Sequence, residues 1–142
     1  MFSDLDTFAE RLQILDPESD DFVLQVDVLV EDLDPGLGAA VAPSILAYFE
    51  AHPNSDMGAP GTLIHYLESF YPSYVDALME SLSRKPSLNA VLMINRILNS
   101  PDIASRLRAE LTRALEAAAL SAAHDVVRDL ADKYYRRHTS HP

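Results

Sequence analysis

Apolar residues recur along this chain at helical spacing, in short segments that prolines and polar turns separate. In the first segment Leu5, Phe8 and Leu12 fall on one face, and Ser3 precedes them as an expected N-cap. Two later segments carry apolar residues at strict intervals of four: Ile103, Leu107, Leu111 and Leu115, and then Ala122, Val126, Leu130 and Tyr134. This pattern predicts about eight helices of roughly 10 to 17 residues each.

The boundaries of these helices are predicted from prolines and serines. Pro43 suits the first turn of one helix, Ser87 is expected to cap a broadly apolar and therefore central helix, and Ser121 is expected to cap the last. Short turns between helices of this length favour antiparallel pairs, packed as an irregular bundle or as a short HEAT-like solenoid. We therefore predict an all-α fold, with residues 1–142 forming a single domain.

Residues 22–33, FVLQVDVLVEDL, fit two different patterns. Alternate positions from Phe22 to Val30 are apolar, as in a strand, whereas Phe22, Val26 and Leu33 keep helical spacing. A lone strand would leave its backbone groups unpaired, and the chain offers no second strand to pair with it. We predict a helix here.

Composition narrows the possible chemistry and location. With 48% hydrophobic residues the chain can fill a core, and without cysteine it has neither disulfides nor thiolate metal sites. No apolar run reaches the ~20 residues that span a bilayer. The acidic N-terminus differs from the basic and then apolar start of a signal peptide, so a cytoplasmic location is expected.

Charge is distributed unevenly along the chain, which has a formal net charge of −11. Residues 1–70 contain 14 acidic side chains and one basic side chain, Arg11, whereas residues 71–142 contain eight acidic and ten basic side chains. The first half would repel the phosphates of nucleic acid and would attract a basic protein. We expect a protein partner, with no nucleic acid and no membrane.

Signs of catalysis or cofactor binding are weak. His65 and Glu68 lie three residues apart and can meet on one helix face, but a di-iron site would need a second such motif. The segment Gly58-Ala-Pro-Gly61 lacks the Lys-Ser/Thr that follows in a phosphate-binding loop, so Gly58 is expected to turn the chain and Pro60 to start a helix. No catalytic triad, metal or cofactor is predicted.

Arg96 is an unusual residue for the most apolar predicted helix. Burying a guanidinium without a partner is unfavourable, so Arg96 is expected to form an ion pair, with Glu68 and Asp76 as the candidate carboxylates.

An ordered series of motifs in the central part of the chain resembles a family of small bacterial proteins. The motifs are Gly58-Ala-Pro-Gly61, His65-x-x-Glu68, Ser81-x-x-Arg84-Lys85-Pro86 and Asn95-Arg96-Ile-Leu-Asn99. The chain resembles, over residues ~43–100, immunity proteins of polymorphic toxin and contact-dependent growth inhibition systems. The resemblance implies an all-helical, non-catalytic inhibitor that binds a toxin domain made by the same cell.

The acidic half of the chain suggests how such an inhibitor would bind. Many toxin domains are nucleases with basic substrate grooves, which an anionic surface would attract. The candidate partner-binding carboxylates are Asp16, Glu18, Asp20, Asp21, Asp27, Glu31, Asp32, Asp34, Glu50 and Asp56, with Tyr48 and Tyr66 as exposed aromatic anchors. Before binding, the protein is expected to be a monomer or a homodimer. The alternatives are a helical adaptor without a toxin partner and a metal-dependent enzyme that uses His65 and Glu68.

Overall fold

The computed structural model describes residues 3–140, which form eight α-helices and no β-strand. The helices are α1 (Leu5–Gln13), α2 (Phe22–Glu31), α3 (Ala42–Ala51), α4 (Thr62–Glu68), α5 (Val75–Arg84), α6 (Leu88–Leu98), α7 (Ser105–Ser121) and α8 (Asp125–Thr139). A 3-10 segment, Pro35–Val41, leads into α3. The predicted all-α fold is confirmed, and so is the helix at the ambiguous segment that begins at Phe22.

Several helix boundaries follow the local signals in the sequence. Pro43 lies in the first turn of α3, where its missing N–H has no partner to lose. The Ser87 hydroxyl accepts a hydrogen bond from the backbone N–H of Ala90 at 3.1 Å and so caps α6. α6 buries eight of its 11 residues, including the polar Asn89 and Asn95, which confirms that it is the central helix.

Two predicted caps are wrong. α1 is capped by Asp4, whose carboxylate accepts from the N–H of Asp6 at 3.1 Å, and not by Ser3. Ser121 is the last residue of α7, where its hydroxyl donates to the carbonyl of Ala117 at 2.8 Å. The alanine-rich sequence before Ser121 has high helix propensity and carries α7 past the expected break, so α8 begins after His124.

The odd-numbered helices pack in a continuous series, α1 on α3, α3 on α5 and α5 on α7. α2 packs on α4 and α6 on α8, but among the described helices no comparable packing joins α3 to α4 or α4 to α6. The arrangement is therefore an irregular bundle of helices and not a regular stack of pairs. The pair α1–α2 lies at one end of this series and the pair α7–α8, which packs extensively together, lies at the other.

The Gly58–Gly61 loop turns the chain between α3 and α4. Gly58 has a φ of 69°, which confirms its predicted left-handed conformation. A Cβ on Gly61 would lie 2.9 Å from the carbonyl oxygen of Met57, so the loop backbone itself requires glycine there. Pro60 does not start a helix: α4 begins two residues later, with Gly61 as its N-cap. None of the helices in residues 3–140 has the length and apolar character needed to cross a bilayer.

Candidate protein-binding face

A cluster of exposed apolar side chains lines the groove between α1 and α2. Ile14, which follows α1, is 82% exposed, and Leu24 and Val28 on α2 are 67% and 51% exposed. The groove has a volume of about 540 Å³ and is lined by Arg11, Ile14, Leu15, Asp21, Leu24, Gln25, Val28 and Leu29. We call this surface the α1–α2 face. It brings exposed large apolar residues of two neighbouring elements together, a feature that marks interaction sites.

The exposure of Leu24 and Val28 follows from the composition of α2. A helix that packs on one side buries residues at intervals of three and four, and α2 buries Phe22, Val26 and Leu29 in this way. Leu24 and Val28 lie four residues apart on the remaining surface, where no described helix covers them. α2 is therefore apolar on two sides, although its packing in the fold uses only one.

Tyr48 on α3 holds the segment that leads from α1 to the groove. Its hydroxyl donates to the carbonyl oxygen of Leu15 at 2.6 Å, and its ring stacks parallel to that of Phe22 at 6.2 Å between centroids. Only 3% of Tyr48 is exposed, and burial, together with the nearby charge of Asp16, raises its pKa to about 12. The prediction that Tyr48 is an exposed anchor is wrong, because its ring and hydroxyl are both used inside the fold.

Carboxylates stand at both ends of the exposed apolar stripe on α2. Asp20 and Asp21 precede Leu24 by about one turn, and Glu31 and Asp32 follow Val28 by about one turn. Within residues 3–140, the side chains of Asp20, Asp21 and Glu31 are exposed and form no hydrogen bond or ion pair. Asp32 accepts from Arg11 at 3.1 Å, which links the C-terminal end of α2 to α1. These four acidic side chains, Asp20, Asp21, Glu31 and Asp32, are the rim of the α1–α2 face.

Five other predicted carboxylates already accept hydrogen bonds from the chain. They are Asp16, from the Glu18 N–H at 2.9 Å; Glu18, from the Ser55 hydroxyl at 2.7 Å; Asp27, from the Thr62 hydroxyl; Asp34, from the Gly36 N–H at 2.8 Å; and Asp56, from the Gly58 N–H at 3.1 Å. These bonds fix turns and join α2 to α4. They leave the carboxylates charged, and Asp16, Glu18 and Asp56 remain exposed.

Glu50 also serves the fold. Its carboxylate accepts from Arg84 at 2.7 and 2.8 Å and from the Ser81 hydroxyl at 2.9 Å, which joins α3 to α5. Only 14% of its side chain is exposed, and hydrogen bonding to Arg84 lowers its pKa despite partial burial. The expectation that Glu50 presents a free charge to a partner is therefore wrong.

Tyr66, the second predicted aromatic anchor, is half-buried. Its hydroxyl donates to the carbonyl oxygen of Gly38 at 3.1 Å, and its ring meets that of Phe70 edge to face at 5.2 Å. Burial raises its pKa above the usual value. Tyr66 fixes α4 to the 3-10 segment and lies outside the α1–α2 groove.

The predicted ion pair of Arg96 is confirmed, with Glu68 as its partner. The Arg96 Nε and Nη2 atoms donate to the two carboxylate oxygens of Glu68 at 2.7 and 2.9 Å, which joins α6 to α4. Hydrogen bonding to Glu68 raises the pKa of Arg96. His65 Nδ1 lies 3.5 Å from Glu68, so these two side chains do meet on one helix face. No group of three or more potential metal-ligating side chains occurs in residues 3–140.

Sequence reasoning identified the rim but missed the apolar centre at Ile14, Leu24 and Val28. A signal for the two residues on α2 was present, because the strand-like alternation of that segment places apolar residues on two sides of a helix. Ile14 carried no such signal, because it follows the helical pattern of α1. Comparison of the chain with protein-family models, with curated proteins and with solved structures finds no match.

Proposed function

We propose that this protein is a cytoplasmic immunity protein, a non-catalytic antidote that binds a cognate bacterial toxin domain through the α1–α2 face and blocks it. The motifs that resemble immunity proteins support this class. The observation that supports this mode of action is the apolar groove with an acidic rim. A basic nuclease domain is the expected partner.

The composition of the face suits rapid and stable association. Asp20, Asp21 and Glu31 are free to interact with an approaching basic surface, and such attraction raises association rates. Ile14 and Leu24 supply apolar area at the centre, and full burial of one such side chain contributes about 1.5–3 kcal/mol. Charges at the rim with apolar residues at the centre match the usual anatomy of a protein interface.

The test uses the protein encoded by the adjacent gene, expressed with and without this chain. We expect co-expression to restore growth, and the purified pair to associate with a Kd on the order of nanomolar or tighter. The association rate should fall steeply between low and high salt because exposed charges are screened. Binding without restored growth would instead indicate a helical adaptor.

A matched pair of triple variants separates local charge from net charge. Asp20→Lys/Asp21→Lys/Glu31→Lys changes the rim, whereas Asp76→Lys/Asp102→Lys/Asp129→Lys makes the same change of net charge at exposed positions in the other half of the chain. The rim variant should slow association by about tenfold or more, and the control by much less. Equal effects of the two variants would contradict the proposed role of the rim.

A further inference from the structure

The α1–α2 face has the length and shape of a helix-binding groove. Asp21, Leu24, Gln25 and Val28 follow one another along a single side of α2, and all four line the groove. From Asp21 to Asp32 the helix rises about 16 Å, which is about three turns. Arg11, Ile14 and Leu15 form the opposite side of the groove, and the charge of Arg11 is paired with that of Asp32.

We infer that the α1–α2 face binds a cationic amphipathic helix of about three turns on the partner. This inference rests on the proposed function, whose partner it describes in more detail. The bound helix places apolar side chains at intervals of three and four residues against Ile14, Leu24 and Val28. Its lysine or arginine side chains then reach the carboxylates of the rim.

The backbone chemistry of the groove favours a helix over an extended segment. One wall is formed by α2, whose interior N–H and C=O groups are bonded within the helix. On the opposite side, beyond the end of α1, the Leu15 N–H donates to the carbonyl of Leu12 and the Leu15 carbonyl accepts from Tyr48. An extended peptide would find few backbone partners there, and each buried unpaired group would be unfavourable. A helix satisfies its own backbone and presents only side chains to the groove.

The charges of the rim select the occupant. A second copy of this chain would bring Asp20, Asp21 and Glu31 against the same residues, and anionic lipid or nucleic acid would be repelled likewise. A cationic helix relieves this repulsion and supplies partners for three exposed carboxylates that have none within residues 3–140.

The probe is a synthetic 18-residue peptide of Leu, Lys and Ala with leucines on one helical face. Its control is a scrambled peptide of the same composition and charge, in which the leucines share no face. Binding is measured by fluorescence anisotropy at 0.1 M salt, and peptide helicity by circular dichroism. We expect the amphipathic peptide to bind at least tenfold more tightly than the scrambled peptide and to become helical on binding.

The site is tested with matched substitutions of exposed leucine and isoleucine. Ile14→Ser and Leu24→Ser should each weaken binding of the amphipathic peptide by about fivefold or more. Leu120→Ser, on α7, removes a side chain that is as exposed as Ile14 and should leave binding unchanged. Because all three side chains are exposed, the variants should unfold at nearly the same temperature as the parent protein.

Three results would overturn the inference. The first is equal affinity for the amphipathic and the scrambled peptide. The second is equal affinity for the amphipathic peptide and for a version of it with glutamine in place of lysine. The third is an equal loss of affinity for the amphipathic peptide in Leu24→Ser and Leu120→Ser. The peptide assay needs no toxin, so the inference and the proposed function fail separately. Peptide binding at the face without growth protection leaves the inference and removes the function. The function stands and the inference fails if Ile14→Ser and Leu24→Ser do not weaken growth protection and the protein shows no preference between the two peptides.

Discussion

The hydroxyl of Tyr48 provides a direct test of how the α1–α2 face is held in place. It donates to the carbonyl of Leu15 across 33 positions of sequence, from a side chain that is 3% exposed. Tyr48→Phe removes this bond and leaves the ring, with its stacking on Phe22, in place. The substitution therefore isolates one hydrogen bond between α3 and the segment that follows α1.

The expected loss follows from the energetics of buried hydrogen bonds. A net hydrogen bond contributes about 0.5–1.5 kcal/mol, and a buried acceptor left unpaired adds to the loss. The Leu15 carbonyl is in a partly buried position, so we expect a decrease of about 1–2 kcal/mol in the free energy of unfolding. In a domain of this size that corresponds to a fall of roughly 5 °C in Tm.

The assay is thermal and urea unfolding followed by circular dichroism. The matched control is Tyr71→Phe, because Tyr71 is 45% exposed and its hydroxyl has no hydrogen-bond partner in residues 3–140. The free energy of unfolding of Tyr71→Phe should differ from that of the parent protein by no more than about 0.5 kcal/mol. If the two phenylalanine variants have the same stability, Tyr48 does not anchor the segment and our reasoning is refuted.

An alkaline titration gives a second measurement of the same hydroxyl. Burial raises the pKa of Tyr48 to about 12, so the folded state holds this proton more tightly than the unfolded state does. The corresponding stability is present below about pH 10, the usual tyrosine pKa, and is lost as pH rises toward 12. Between about pH 10 and 12, the free energy of unfolding of Tyr48→Phe should therefore fall less than that of the parent protein.

Two further predictions concern α8 and the glycine loop. His138 Nε2 lies 2.8 Å from Asn95 Oδ1. Burial, with Arg137 and Arg108 nearby, lowers the pKa of His138. The stability that the neutral imidazole contributes is therefore present above about pH 6.5 and is lost as the pH falls further. His138→Gln should lower Tm less at pH 5 than at pH 7.5 when each is compared with the parent protein, and equal decreases would contradict this role. Gly61→Ala forces a methyl group against the Met57 carbonyl and should reduce the free energy of unfolding by about 1–3 kcal/mol in urea titrations, whereas an unchanged midpoint would show that the loop adjusts.

Most features that the sequence predicted correctly are set by near neighbours along the chain, and the exception is the ion pair of Arg96 with Glu68, 28 positions away. Ser87 caps α6 through an N–H three residues away, and Pro43 suits the first turn of its own helix. Arg96 required a carboxylate once its helix was identified as buried, and one candidate, Glu68, supplies it. Ser121 was mispredicted as a cap because its serine signal is weaker than the helix propensity of the alanines around it.

The candidate face depends on which side of each helix the rest of the chain covers. The sequence alone established an all-helical chain with an acidic first half, because periodicity, caps and charge are local properties. Only the tertiary structure decided that Tyr48 is buried, that Glu50 binds Arg84, and that Ile14 and Leu24 stay exposed. The physical reason is that an apolar residue is buried only where another element returns to cover it. α4 covers one side of α2, and no described helix covers the side that carries Leu24 and Val28.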